Sequence, residues 1–193
     1  IAAMLRMQAR RAEDPSTLQA LNEAVARILS VAVIHEFLSL KETQSINMRD
    51  VGQRIISQNR QVMMPGRQIN FALEGPAIYL PSQQATSCAL VVNELIQNAL
   101  EHGFEEQKEG KIVLRLFDEG ASVRIEIADD GAPLPDDFSL DRPTSLGLQI
   151  VRTLVVDDLH GTLEIRSEGD GVLAIVHFPK MSTPAENERT NGA

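Results

Sequence analysis

The sequence predicts an α+β fold, a two-layer α/β sandwich preceded by an antiparallel helical hairpin. Three observations carry this expectation. Residues 1–64 read as helix with a heptad seam. From residue 65 onward the apolar period alternates between that of strands and that of helices. Strand-period segments fall on both sides of two helical ones, an order that lays helices on one face of a mixed sheet.

Ile1 to Arg11 is amphipathic and has no N-cap. Asp14-Pro15 then supplies a cap followed by proline at the first helical position. Leu18, Leu21, Val25, Ile28, Ala32 and His35 follow in steps of three and four, the seam of a helix pair or bundle. A third helix is expected from about Asn47 to Met63, closed by Pro65-Gly66. INFALE (69–74) alternates as a strand, and Ser82 to Gly103 reads as a long helix. KIVLRLF (111–117) and SVRIEIA (122–128) form strands about a turn at Glu119-Gly120. Residues 129–144 hold three Pro and several Asp and are expected to be a loop. A second helix covers about Leu146 to Leu159, and TLEIRS (162–167) pairs with VLAIVHF (172–178) across Gly169-Asp170-Gly171. Residues 181–193 are polar and read as a disordered tail.

Composition narrows the function. With 43% hydrophobic and 23% charged residues, the chain can build a core without disulfide or structural metal. One cysteine, Cys88, cannot form an internal disulfide, and four scattered His give no zinc spacing, so a cytoplasmic setting is expected. No apolar run approaches the ~20 residues of a membrane span, and no membrane contact is expected. A net charge of -9 disfavours a nucleic-acid surface. It does not disfavour a nucleotide, which local amides, helix ends and a metal ion can hold.

Three segments carry candidate chemistry. In NELIQNALEHG, Glu94, Asn98 and His102 recur every fourth residue on one helix face, with Leu95, Ile96, Ala99 and Leu100 turned towards the sheet. Such a face is either solvated or a site where the Asn98 amide oxygen ligates Mg2+, an ion that prefers oxygen and keeps several waters. Glu94 could then orient or deprotonate a nucleophile. In IADDGAPLP (127–135) a strand ends at Asp129 and the chain turns at Gly131. A carboxylate there can accept from an exocyclic amine such as adenine N6; the competing reading is an ordinary Asp-Gly turn. In SLGLQIV (145–151), Leu146, Gly147 and Leu148 open a helix whose amides can face an anion, or which Ser145 simply caps.

Each segment is common alone. Their order resembles the N, G1 and G2 boxes of the GHKL (Bergerat) ATPases, a family that includes histidine kinases, DNA gyrase, Hsp90 and MutL. The resemblance covers roughly Pro65 to Lys180. It implies that Asn98 binds Mg2+, that Asp129 reads the adenine amine, and that Gly131 and Gly147 shape the ATP pocket beneath a short lid, residues 132–144. Residues 1–39 resemble the dimerisation hairpin of sensor histidine kinases, which implies a homodimer. In that branch the phosphorylated His lies about ten residues before Ile1, so the chain is expected to begin just after its acceptor. QNALEHGF and SLGLQIVRTLV resemble the kinases that phosphorylate ANTAR-domain regulators. The expected activity is transfer of phosphoryl from Mg-ATP to histidine, then to an aspartate on a response-regulator receiver domain.

His35 sits on the heptad seam, a packing position and not that of an acceptor. His102 faces the expected site, whereas His160 and His177 read as structural. The chain departs from the family at Glu101, where relatives carry a phosphate-facing Lys, and at Pro133, the second glycine of Asp-x-Gly-x-Gly. Ser145 and Val172 depart from the commoner Gly and Thr. These departures keep a second reading open, a histidine phosphotransfer protein with a degenerate nucleotide domain. A serine kinase of the anti-sigma type shares the nucleotide fold but has no such hairpin.

Overall fold

The computed structural model describes residues 14, 45–62, 68–105, 107, 109–140 and 145–181. The heptad helices, His35, Pro65-Gly66, residues 141–144 and the tail after Met181 lie outside them. The described residues from Ser45 to Met181 fall in one compact unit that begins at Thr43.

Five strands make the sheet: β2 (Gln68–Glu74), β4 (Glu109–Asp118), β5 (Ser122–Asp129), β6 (Thr162–Glu168) and β7 (Gly171–Pro179). Their spatial order is β2-β4-β5-β7-β6, with β2 parallel to β4 and all other pairs antiparallel. Period-two alternation sends Ile112, Leu114, Leu116, Val123, Ile125, Ile127, Val176 and Phe178 to one face, where each is buried. Register is fixed by this pattern, because a one-residue slip would turn the entire set outwards.

Helices cover that face. They are α1 (Met48–Val62), α2 (Ser82–Asn98) and α3 (Leu146–Thr153). α2 is central and packs against α1, α3 and β5. It is therefore buried over most of its circumference, including Gln84, Ser87, Asn93 and Glu94. Two of its polar residues meet defined partners: Gln84 Nε2 donates to the Pro179 carbonyl at 2.7 Å, and Ser87 Oγ to Asp158 at 2.8 Å. Burial also pushes the Cys88 thiol up to about 12, which leaves it inert as a nucleophile.

Three differences from the sequence reading matter. The expected helix from Asn47 to Met63 is α1, and it belongs to the unit that begins at Thr43, since its buried Val51, Ile55 and Ile56 supply that core. A three-residue strand precedes it: β1 (Ser45–Asn47) pairs with β3 (Tyr79–Pro81), a contact no local pattern announces. Finally, α2 and α3 both end in π-helical turns, Ala99–Gly103 after α2 and Leu154–Asp158 after α3. Such turns insert one residue per turn and favour functional sites.

The opposite face carries charge. Glu74 and Arg115 are directly paired across β2 and β4, as are Arg115 and Glu126 across β4 and β5, and each pair forms an ion pair. The Arg124 guanidinium lies 3.8 Å from the centre of the Phe117 ring opposite it. The side-chain nitrogens of Arg49 and Arg60 donate to the carbonyls of Gly75 and Phe71, which blunts the free edge of β2. No helix among the described residues is long and apolar enough to cross a membrane.

Candidate nucleotide-binding site

A cavity of about 380 Å³ opens between the end of α2, the sheet and the loop after β5. Its floor comes from Ile127, Ile165, Val172 and Ala174 of three neighbouring strands, and Leu95, Ala99 and Leu148 add apolar walls from the helices. A mostly apolar slot with few polar groups is the usual form of a small-molecule site. Those polar groups are Asn98, His102 and Asp129, joined by Glu105 and Ser145 at the margins.

Asp129 ends β5 and is held from two sides. Its carboxylate accepts from the Gly131 amide at 3.0 Å and from the Val172 amide. Burial nevertheless raises its pKa above the ordinary 3.8, against the lowering effect of those two amides. The turn at Asp129 thus leaves a desolvated acceptor at the cavity wall, and a donor from a ligand would compensate it.

Asn98 is the last residue of regular α2. Both Nδ2 and Oδ1 are shielded from solvent, and neither has a hydrogen-bond partner. Buried amides are rarely left so, because each unmade bond costs about 1–3 kcal/mol. An oxygen-seeking cation would answer that deficit. Among the described residues no cluster of three or more His, Cys, Asp or Glu could hold a metal, so a cation here would complete its shell with ligand oxygens and water.

Gly131 serves space and not conformation. A methyl group there would lie 2.4 Å from the Gly103 carbonyl oxygen, where the Ala132 amide donates at 2.7 Å. The glycine lets the end of α2 touch the loop, which fixes Asn98 relative to Asp129. Gly131→Ala is expected to lower stability by about 2–3 kcal/mol through backbone overlap, read as an earlier urea midpoint.

The remaining expected residues divide. His102 lines the cavity from the π-turn and is exposed. Leu148 lines it from α3, whereas Leu146 is 55% exposed and Gly147 is buried, and neither is among the lining residues. Ser145 caps α3 by accepting from the Leu148 amide at 3.2 Å, so that amide is already satisfied. Glu94 is buried at 4% exposure, and so the solvated-face reading fails there; it too is not among the lining residues. Ser167, Phe138 and Ile165 hold or line the wall although nothing local in the sequence marks them.

Comparisons with known proteins bear on the family and the fold. Residues 83–182 match the family described as histidine kinase-, DNA gyrase B-, and HSP90-like ATPase, and residues 1–63 match a histidine kinase family. The chain is 39% identical over 167 residues to the sensor histidine kinase PdtaS of Mycobacterium tuberculosis, covering 86% of this chain and 33% of that protein. It is 35% identical over 190 residues to PdtaS of Mycolicibacterium smegmatis, covering 96% and 38%. The chain thus spans about a third of the length of these curated relatives. Among solved structures, the histidine kinase domain of Erythrobacter litoralis EL346 blue-light activated histidine kinase superposes with a TM-score of 0.67 at 23% identity, covering 92% of this chain and 85% of that one. The catalytic domain of histidine kinase ThkA gives 0.61 at 22% identity, covering 70% and 95%, and both likenesses concern the fold. By the match over residues 83–182, the chain belongs to the histidine kinase-, DNA gyrase B-, and HSP90-like ATPase family.

Proposed function

We propose that this chain is the catalytic part of a two-component sensor histidine kinase. It binds Mg-ATP in the cavity beside α2 and serves transfer of phosphoryl to a histidine, then to an aspartate of a response regulator. Residues 1–42 form the dimerisation and phosphotransfer region, 43–180, with α1, the ATP-binding domain and 181–193 the tail. The carrying observation is one cavity flanked by an unsatisfied buried amide, Asn98, and a desolvated carboxylate, Asp129. These are the groups that an Mg-nucleotide with an exocyclic amine would satisfy.

Asn98 Oδ1 is assigned to the metal, Asp129 to the base amine, His102 and Leu148 to the walls, and Gly131, Leu146 and Gly147 to the backbone that frames them. Bound Mg2+ would neutralise phosphate charge during transfer. Glu94, one helical turn before Asn98, is assigned as the base towards the acceptor imidazole. The solved complex of ThkA with its response regulator TrrA, and the names of the PdtaS relatives, support the receiver-domain partner. Cytoplasmic placement and a homodimer through the hairpin complete the reading.

Calorimetric titration of the chain with ATP and Mg2+ tests it, and saturable binding is expected. Pro133 lines the cavity without filling it, and so favours this outcome over the phosphotransfer reading. No binding would select that other reading. Glu101 is exposed on the π-turn next to His102. Glu101→Lys replaces a repelling charge beside an anionic ligand. It is expected to tighten ATP binding roughly 3- to 10-fold at low salt, with the gain shrinking as salt rises.

A further inference from the structure

The loop that leaves Asp129 has its backbone donors settled. The Asp130 amide donates to the Lys111 carbonyl at 3.3 Å, Gly131 to Asp129 at 3.0 Å, and Ala132 to the Gly103 carbonyl at 2.7 Å. The Leu134 amide donates to Ser167 Oγ of β6 at 3.1 Å. Positions 133 and 135 are proline, which has no N–H to satisfy and a fixed φ. Every donor from 130 to 135 is therefore bonded to a strand, a helix end or a strand side chain, and two of those six residues are rigid rings. This stretch is a wall of the cavity and not a flap over it.

The wall ends in a tight turn in which the Phe138 amide donates to the Pro135 carbonyl at 3.0 Å. The turn brings a half-buried Phe138 to the cavity. Among the described lining residues, Phe138 and His102 bear the aromatic rings, while the floor is aliphatic. A planar base needs a flat partner, and stacking tolerates many bases because each has a π-face.

We propose that Phe138 stacks on the base of the bound nucleotide, and that Ser167 is the positioning residue that holds the wall carrying it. The proposal rests on the reading that the cavity takes an adenine nucleotide. Ser167 acts through the Leu134 amide and touches no ligand itself.

The test compares the parent chain with Phe138→Ala, Phe138→Trp, Ser167→Ala and Ser167→Thr, using Mg-ATP, adenosine and inorganic tripolyphosphate as probes. Phe138→Ala should weaken Mg-ATP and adenosine by the same factor, roughly 10-fold or more, and leave tripolyphosphate binding unchanged. The chain has no Trp, so Phe138→Trp carries a sole reporter whose emission ATP should quench with the calorimetric midpoint. Ser167→Ala should weaken adenosine about 3- to 10-fold, with Ser167→Thr restoring it because the hydroxyl returns. Parent-like adenosine binding in Phe138→Ala, or unquenched emission in Phe138→Trp under saturating ATP, overturns the stacking role while the nucleotide reading stands. Parent-like adenosine binding in Ser167→Ala overturns the positioning role alone. Failure of the parent chain to bind ATP or adenosine overturns the nucleotide reading and the proposal with it.

Discussion

Asp129→Asn should weaken ATP binding by about 100-fold while the ligand-free protein becomes no less stable at neutral pH. The two effects share one cause. Burial raises the Asp129 pKa above 3.8 even though two backbone amides donate to it, so its charge is carried at a net cost in the empty protein. Asparagine keeps one acceptor oxygen for those amides and removes that cost. It also replaces the second acceptor with a donor, which meets the base amine donor to donor. The linkage sign follows. Because the folded pKa is the higher one, the folded state takes up the proton first, and acidification through this pKa down to 3.8 stabilises the parent. The thermal midpoint of Asp129→Asn should therefore exceed or match the parent at pH 7, and its relative advantage should shrink through that window. Nucleotide binding by the parent should fall in the same window, as the carboxylate is protonated. Thermal scans and calorimetry across pH read both. A variant that binds ATP as the parent does would remove Asp129 from base recognition.

The sheet was legible in the sequence because strand alternation survives burial. Ile112, Leu114 and Leu116, or Val123, Ile125 and Ile127, announce their face whatever covers it. The helix α2 was legible as a helix but not as a buried one. Its polar stripe reads as solvated when a helix packs on one side; here α1 and α3 flank it, so Glu94 lies inside. The short strand β1 was hidden because its partner β3 lies more than 30 residues away and neither has length enough to show a period. The π-turns were hidden too, since a helical period persists through Leu100 while the backbone widens by one residue.

The polar lining of the cavity was legible where a residue type and its spacing both carry chemistry. Asn98, His102 and Asp129 reach the cavity as their segments predicted. What could not be read is the wall. Ser167 is an unremarkable strand serine until the fold sets it opposite Leu134, and Pro133 looks like damage to a glycine motif until the donors around it are counted. In the folded chain a proline at 133 removes a donor from a position flanked by bonded ones, so the departure stiffens the wall without closing the slot.

Asn98→Ala carries the second large effect, and its signature separates a metal ligand from a packing residue. An amide whose oxygen and nitrogen are both buried without partners weakens the empty protein, at about 1–3 kcal/mol per unmade bond. Truncation relieves that cost and leaves a small void, two terms of opposite sign, so the ligand-free urea midpoint should stay within about 1 kcal/mol of the parent. Binding should respond otherwise. With Mg2+ present, ATP affinity should fall about 10- to 100-fold, the usual range for disrupting a metal shell. With the metal chelated, parent and variant should bind ATP alike, because the amide then has nothing to coordinate. Asn98→Asp keeps an oxygen at the same position and should retain the Mg2+ dependence that alanine loses. If Asn98→Ala lowered affinity equally with and without Mg2+, the amide would be shaping the cavity and the cation would lie elsewhere. A loss confined to the Mg2+ titration can come only from an oxygen that meets the metal, and that would explain why the fold leaves this one buried amide unsatisfied.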